Sequence, residues 1–209
     1  MKQKMRQSWI DRAVELQALA QAGLQYSKDI YDIERFRRIR EISAEIISNQ
    51  SDIPVEVVKT LFCNESGYQT PKLDTRAAIF RDGKILLVKE KITGKWALPG
   101  GWVDVNESVG SNTVKEVKEE AGLDVVPVKI IAVQDRNRHN KPQYAYGICK
   151  IFVLCRIISG SFVENSEKSE SGFFGIDELP IADEARSTAA QIRMCFDACC
   201  DENWVALFD

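Results

Sequence analysis

The 209-residue sequence has a single histidine, His139, and no Cys-x-x-Cys pair. One histidine without a nucleophile signature argues against a serine–histidine triad. It also leaves no histidine partners for a zinc site. The six cysteines are therefore interpreted as reduced thiols of a cytoplasmic protein; they are Cys63, Cys149, Cys155, Cys195, Cys199 and Cys200.

Long apolar runs and a strong excess of one charge are also missing. No stretch approaches the roughly 20 apolar residues that a membrane helix needs, and the basic first residues lack the apolar segment of a secretory signal. The net charge is −3, so bulk charge does not predict nucleic-acid binding. We expect a small-molecule ligand, no membrane, and one domain with a small accessory unit.

The first part of the chain has helical periodicity. Apolar residues recur at helical spacing over residues 9–20 and 30–47. Pro54 favours the start of a third helix over residues 55–62. We predict a helical segment over residues 1–65, a polar linker over 66–72, and a second domain over 73–209.

After the linker the pattern changes to that of strands. Residues 75–80 and 85–89 flank Asp82-Gly83, a hairpin signal. Further strands are predicted over residues 125–133, 144–158 and 172–176, with a polar loop over 135–143 and a last helix over 184–199. This order predicts an α/β fold with layered sheet and helices.

The segment over residues 101–123, GWVDVNESVGSNTVKEVKEEAGL, carries the chemistry. Glu116, Glu119 and Glu120 lie three and four positions apart, so a helix presents them on one face. Clustered carboxylates repel each other unless a positive charge lies between them. Hard divalent cations prefer carboxylate oxygen and commonly bridge to phosphates. An acidic helix is often only a solvated face, but the apolar, glycine-containing lead over 98–102 favours a site.

These residues resemble the Nudix box, G-x5-E-x7-R-E-U-x-E-E-x-G-U, where U is a bulky aliphatic residue. The positions in register are Gly101, Glu107, Glu116, Val117, Glu119, Glu120, Gly122 and Leu123, and Lys115 replaces the box arginine. The resemblance implies a mixed sheet between helices over residues 73–209. It also implies Mg²⁺ or Mn²⁺ held by Glu116, Glu119, Glu120 and the carbonyl of Gly101. Glu107 is implied as a further ligand or a brace of the loop, and Lys115 as the group that orients a carboxylate.

A helical segment ahead of such a domain resembles a bacterial subgroup of this family, described as CDP-choline or ADP-ribose pyrophosphatases. The implied reaction splits a nucleoside diphosphate linked to a group X into a nucleoside monophosphate and phosphorylated X. A homodimer is expected. The alternatives are a nucleoside triphosphate or RNA-end pyrophosphohydrolase, and a nucleotide sensor without catalysis, against which the intact acidic helix argues.

The general base and the substrate contacts are encoded less directly. The resemblance implies a base that is either a box glutamate, Glu119 or Glu120, or an acid late in the domain. The late candidates are Glu164, Glu167 and Glu170, of which Glu167 and Glu170 are preferred because they lie nearer Phe173. Arginines bind phosphate and aromatic rings stack on bases, so the substrate contacts predicted are Arg76, Arg136, Tyr144 and Tyr146. The alternative is that they are ordinary loop and strand residues.

Overall fold

The computed structural model describes residues 9–51, 53–162, 164 and 167–209. The predictions for residues 1–8 and for Asp52 lie outside the described residues. The chain divides into two compact units. The first contains the described residues up to Pro71 together with Tyr144–Tyr146, and the second contains Lys72–Gln143 and Gly147–Asp209. In the described part of the chain, no helix is both long and apolar enough to cross a membrane.

The first unit is helical. It contains α1 (Trp9–Tyr26), α2 (Ile30–Ser51) and α3 (Val55–Phe62), and the predicted third helix is confirmed. Its core is formed by Ala13, Ala44, Ile47, Val58 and Phe62. Glycine at position 23 lets α1 and α2 approach closely, because a Cβ there would lie 2.5 Å from the ring of Phe36.

Residues 66–71 of the predicted linker contain no helix or strand, whereas Lys72 already begins β1. Side chains of the helical unit hold residues at the start of this segment and just before it. Gln21 donates a hydrogen bond to the carbonyl of Gly67 at 2.9 Å. Arg40 donates to the carbonyls of Cys63 at 2.5 Å and Glu65 at 2.7 Å. These bonds fix residues 63–67, at the end of the helical segment and the start of the linker, against α1 and α2.

The second unit is built on a mixed sheet. Its strands are β1 (Lys72–Arg81), β2 (Lys84–Glu90), β3 (Trp96–Ala97), β4 (Leu123–Asp135), β5 (Ile148–Gly160), β6 (Lys168–Phe174) and β7 (Leu207–Phe208). The order is β3-β2-β1-β5-β4-β7, and β6 pairs with β2. The β1–β5 and β4–β7 pairs are parallel and the remaining pairs are antiparallel. The helices are α4 (Val109–Ala121), α5 (Arg136–His139) and α6 (Ala189–Cys200).

The sheet lies between helices, as the sequence predicts. Successive strand residues point to opposite faces. Ala77 and Ile79 of β1 pack in one cluster with Val117 of α4, whereas Ala78 packs in another with Ile192 of α6. The α/β fold with a sheet between helices is confirmed.

Several predicted bounds need correction. The strand predicted from residue 144 begins at Ile148, and Ala145 instead packs against the core of the helical unit. The last helix begins at Ala189, not at residue 184, because Thr188 forms a capping box with Gln191. The predicted polar loop contains the short helix α5. The strands β3 and β7 are two residues long, too short to produce a periodic signal.

Candidate active site

The loop over residues 98–102 is fixed on β1. Thr75 donates its backbone N–H to the carbonyl of Gly101 at 2.9 Å, and Ala77 donates to Pro99 at 2.8 Å. The side chain of Arg76, itself buried, donates to the carbonyl of Gly100 at 2.7 Å. The loop therefore has a fixed path between the sheet and the acidic helix α4.

Two glycines in this loop are needed for its path. Gly100 has a φ of 140°, and a Cβ there would lie 2.0 Å from the carbonyl oxygen of Thr75. At Gly101 a Cβ would lie 2.6 Å from Oε2 of Glu116. The absence of side chains thus brings the loop backbone beside the carboxylate of Glu116.

The acidic helix has defined ends. Ser108 caps its N-terminus in a reciprocal pair with Ser111. Gly122 ends it with a φ of 70°, where a Cβ would lie 2.3 Å from the carbonyl oxygen of Ser161. The predicted helix and its glycine stop are confirmed.

The three glutamates of α4 lie in different surroundings. Glu119 is exposed, the side chain of Glu116 is 14% exposed, and Glu120 is buried. Burial raises the pKa of Glu116, and the neighbouring carboxylates of Glu120 and Glu119 raise it further, while Lys115 opposes the shift. The positive charge of Lys115 therefore does not fully offset the effects of burial and of the neighbouring carboxylates on Glu116.

Glu120 is held through both carboxylate oxygens. Its Oε2 accepts the backbone N–H of Gly100 at 2.8 Å, and its Oε1 lies 2.7 Å from Nζ of Lys168. Burial raises the pKa of Glu120, although Lys168, Arg76 and the bond from Gly100 act against that shift. Lys168 was not among the predicted site residues.

A β-bulge places Lys168 in this position. The register between β2 and β6 shifts between Lys89 and Glu90, so Lys89 pairs with Glu170 and Glu90 pairs with Lys168. Lys89 and Glu90 point to opposite faces of β2. The pairing sends Glu170, 56% exposed, to the surface and Lys168, 0% exposed, to the interior. Strict alternation would place these two residues on the same face.

Lys115, at the position of the box arginine, contacts two acids. Its Nζ lies 2.5 Å from Oδ2 of Asp104 and 3.5 Å from Oε1 of Glu116. The bond to Asp104 and the nearby glutamates raise the pKa of Lys115. Asp104 is the second site residue that the sequence reasoning missed. Glu107 belongs to the same loop, where its N–H donates to the carbonyl of Asp104 at 2.9 Å.

The late acids lie along β2. Glu164 pairs with Lys91 at 2.9 Å, and Glu170 pairs with Lys89 at 3.0 Å. The backbone carbonyl of Glu167 accepts the N–H of Lys91 at 3.0 Å. Val163, Asn165 and Ser166, in the same stretch of sequence as these acids, lie outside the described residues. The contacts place the candidate bases near the strand that also carries Glu90.

The predicted substrate contacts form two pairs, one of buried arginines and one of neighbouring tyrosines. Arg76 and Arg136 are 5% and 1% exposed. Arg76 pairs with Asp74 at 2.9 Å, and Arg136 donates to the carbonyl of Pro142. The rings of Tyr144 and Tyr146 lie 5.5 Å apart, ahead of β5 and not within it. The geometry makes both arginines internal braces with little surface to offer a phosphate.

The acidic centre fits a divalent cation by the chemistry of its donors. Glu116 and the exposed Glu119 offer carboxylate oxygens, and a carbonyl such as that of Gly101 keeps a second lone pair beside its bond from Thr75. These are oxygen ligands of the kind that Mg²⁺ prefers. Within the described residues, however, no group of three acidic, histidine or cysteine side chains already converges on one point.

Comparison with family models divides the chain as its fold does. Residues 71–193 match the NUDIX domain model, and residues 7–62 match a model described as Nudix_N, a UDP-X-like N-terminal oligomerisation domain.

Relatives match either most of this chain or about two thirds of it. The putative ADP-ribose pyrophosphatase YjhB of Bacillus subtilis (strain 168) is 41% identical over 93% of each chain. A crystal structure of an ADP-ribose pyrophosphatase from Streptococcus suis 89-1591 is 50% identical, covers 67% of this chain and 100% of its own, and has a TM-score of 0.63. A crystal structure of a UDP-X diphosphatase is 33% identical, covers 95% of this chain and 97% of its own, and also has a TM-score of 0.63.

Proposed function

Because this chain belongs to the Nudix hydrolase family, we propose that it splits the pyrophosphate of a nucleoside diphosphate linked to a group X. The products are a nucleoside monophosphate and phosphorylated X. The observation that carries the proposal is the fit between the loop backbone at Gly101 and the carboxylate of Glu116. That fit joins two parts of the sequence pattern in one acidic centre.

We infer that Mg²⁺ or Mn²⁺ is held by Glu116, Glu119 and the carbonyl of Gly101, with Glu120 as a further ligand. When bound, such a cation neutralises phosphate charge and lowers the pKa of a bound water. The chain contributes the positioning: Thr75 fixes the carbonyl of Gly101, and Lys115 lies between Asp104 and Glu116.

The general base is proposed among the acids beside β2 or within α4. Glu170 and Glu167 remain the preferred late candidates, with Glu164 as a third. The carboxylate of Glu170 is supported by its exposure and by its ion pair with Lys89, which orients it. A box glutamate, Glu119 or Glu120, is the alternative.

ADP-ribose is the leading substrate, because two of the relatives are named ADP-ribose pyrophosphatases. The name of the UDP-X diphosphatase and the sequence resemblance to CDP-choline pyrophosphatases supply the rivals. The test is a panel with Mg²⁺ or Mn²⁺: ADP-ribose, CDP-choline, UDP-glucose, NADH, diadenosine polyphosphates, nucleoside triphosphates and 5′-triphosphorylated RNA. We expect kcat/KM for a diphosphate-linked substrate to exceed that for any triphosphate by about tenfold or more, about 1.4 kcal/mol.

A matched pair of variants tests the site itself. Glu119→Gln removes a proposed ligand charge and should lower kcat about 100-fold, the equivalent of roughly 3 kcal/mol. Glu178→Gln is the control, since this glutamate is exposed and pairs with Lys84. Equal activity of the two variants would overturn the ligand assignment. Tight nucleotide binding by the unchanged protein without turnover would favour the sensor.

We propose a homodimer formed through the helical unit. The support is the match to an oligomerisation domain and large exposed apolar side chains on the helices, including Tyr26, Tyr31 and Leu61. Leu61→Glu should convert the dimer to a monomer in light scattering, while Ile158→Glu, equally exposed but on β5, should not. A monomeric unchanged protein at micromolar concentration would refute the homodimer.

A further inference from the structure

Lys168 is a buried ammonium group placed between two carboxylates from different elements. Its side chain is 0% exposed. Nζ contacts Oε1 of Glu90 on β2 and lies 2.7 Å from Oε1 of Glu120 on α4. Arg186 also reaches Glu90, with Nη1 3.2 Å from Oε1. Glu90 therefore has two cationic partners, and Lys168 has two anionic ones.

We propose that Lys168 is an internal counter-cation that holds Glu120 when no metal is bound and competes with the metal for its Oε1. This inference rests on the metal site of the proposed function. The geometry supports competition because the Oε2 of Glu120 is already bonded to the N–H of Gly100. That leaves Oε1, which lies 2.7 Å from Nζ of Lys168, as the oxygen for which the ammonium group and a metal would compete.

Glu90 gives the ammonium group of Lys168 a second carboxylate partner. A buried charge left without a partner costs several kcal/mol. As a metal draws Glu120 away, Lys168 keeps its contact with Glu90, so the exchange leaves no ammonium unpaired. Lys168 and Glu90 thus act as positioning residues whose balance sets metal affinity.

The two residues should affect metal binding in opposite directions. Lys168→Met removes the competing ammonium and its repulsion of the incoming cation, so Mn²⁺ should bind about tenfold more tightly. Glu90→Gln removes one of the two negative charges beside Lys168. The ammonium is then attracted more strongly to Glu120, and Mn²⁺ should bind about tenfold more weakly.

The experiment titrates Mn²⁺ into the full-length protein without nucleotide and follows free Mn²⁺ by electron paramagnetic resonance. Lys84→Met is the control: it removes one positive charge from β2, the strand of Glu90, where Lys84 pairs with Glu178 at the surface. It should leave the affinity for Mn²⁺ within about twofold of that of the unchanged protein. Thermal unfolding supplies a second readout. Metal-free Lys168→Met should have a lower melting temperature than the unchanged protein, because two buried carboxylates have lost the ammonium group between them. Added Mn²⁺ should then raise its melting temperature by more than that of the unchanged protein.

A purely structural Lys168 predicts a different result. Weaker or unchanged Mn²⁺ binding in Lys168→Met, or unchanged or tighter binding in Glu90→Gln, overturns the proposal. If Lys168→Met does not fold, Glu90→Gln decides alone. If the unchanged protein binds no Mn²⁺, the proposed metal site fails, and this inference with it. Binding by the unchanged protein with no response to either substitution refutes the role of Lys168 only.

Discussion

The second unit contains two clusters of charged side chains, one with an excess of negative charge and one with an excess of positive charge. In the acidic region, Glu90 and Glu120 contact Lys168, and burial raises the pKa of both Glu116 and Glu120. In the basic region, Asp74 is the acid that Arg76 and Lys150 contact. There burial, together with the charges of Arg76 and Arg136, lowers the pKa of Lys150 to about 7, against the opposing effect of Asp74.

The difference shows two ways to relieve surplus charge. The acidic region is open at Glu116 and at the exposed Glu119, so a cation can enter from solvent. The basic region is closed, with Lys150 and Arg136 each 1% exposed, and the lowered pKa of Lys150 allows the surplus positive charge to be relieved by loss of its proton. One region is suited to bind a ligand, and the other to brace the loop beside it.

The regions meet at Gly100, and replacing this residue should have the largest effect. Its N–H donates to Glu120 and its carbonyl accepts from Arg76. Gly100→Ala would force a Cβ to within 2.0 Å of the carbonyl oxygen of Thr75 at a φ of 140°. We expect a loss of about 3 kcal/mol or more in unfolding free energy and about 100-fold in kcat. Denaturant melts and hydrolysis assays measure the two effects.

Gly94→Ala is the control for backbone strain alone. Gly94 has a φ of 66°, but no atom lies within 4 Å of an added Cβ. Gly94→Ala should lower the free energy of unfolding by about 1 kcal/mol and leave kcat unchanged. Similar losses in both variants would mean that Gly100 matters only for its conformation and does not join the two regions.

Lys115 offers a smaller change on the open side of the acidic region. Lys115→Met removes a positive charge 3.5 Å from Glu116 and should lower kcat about tenfold, by analogy with the loss of a positioning group. The melting temperature should hardly change, because exposed ion pairs contribute little stability. The kcat of Lys115→Arg should equal or exceed that of the unchanged protein, because the planar guanidinium group of arginine can bind a carboxylate through two hydrogen bonds.

Asp104→Asn separates the two partners of Lys115. It removes the acid that lies nearer to Nζ, 2.5 Å away, and leaves Glu116 in place. If positioning of Glu116 is what matters, this variant should lose less activity than Lys115→Met. Unchanged kcat in Lys115→Met would refute the positioning role.

The acidic helix could be predicted from the sequence because its signals are contiguous. Ser108, the glutamates and Gly122 lie within one segment, and spacing along a helix fixes which side chains share a face. The strand-like residues on either side of Asp82-Gly83 likewise predicted the antiparallel pair of β1 and β2. In both cases the structural neighbours are neighbours in sequence.

The braces of the site could not be predicted, because register and burial select them. Lys168 reaches Glu120 only through the bulge opposite Glu90, and a one-residue shift of register is invisible in a single sequence. Arg76 and Arg136 carry the charge of phosphate-binding residues, but tertiary packing buries them. Tyr144 and Tyr146 belong to a segment whose strand-like pattern is overridden by packing against the helical unit.

Lys150 provides the smallest and most specific test of the comparison. Its folded pKa of about 7 lies below the usual 10.5, so unfolding takes up a proton between these values and stability should rise with pH across that window. One such group contributes at most about 1.4 kcal/mol per pH unit. Lys150→Met should therefore flatten the difference in unfolding free energy between pH 7 and 9, measured in urea, relative to the unchanged protein. The exposed Lys84→Met, paired with Glu178 at the surface, should keep the original slope. If Lys150→Met also keeps it, Lys150 is charged when folded, and the basic region would then hold its surplus as the acidic region does.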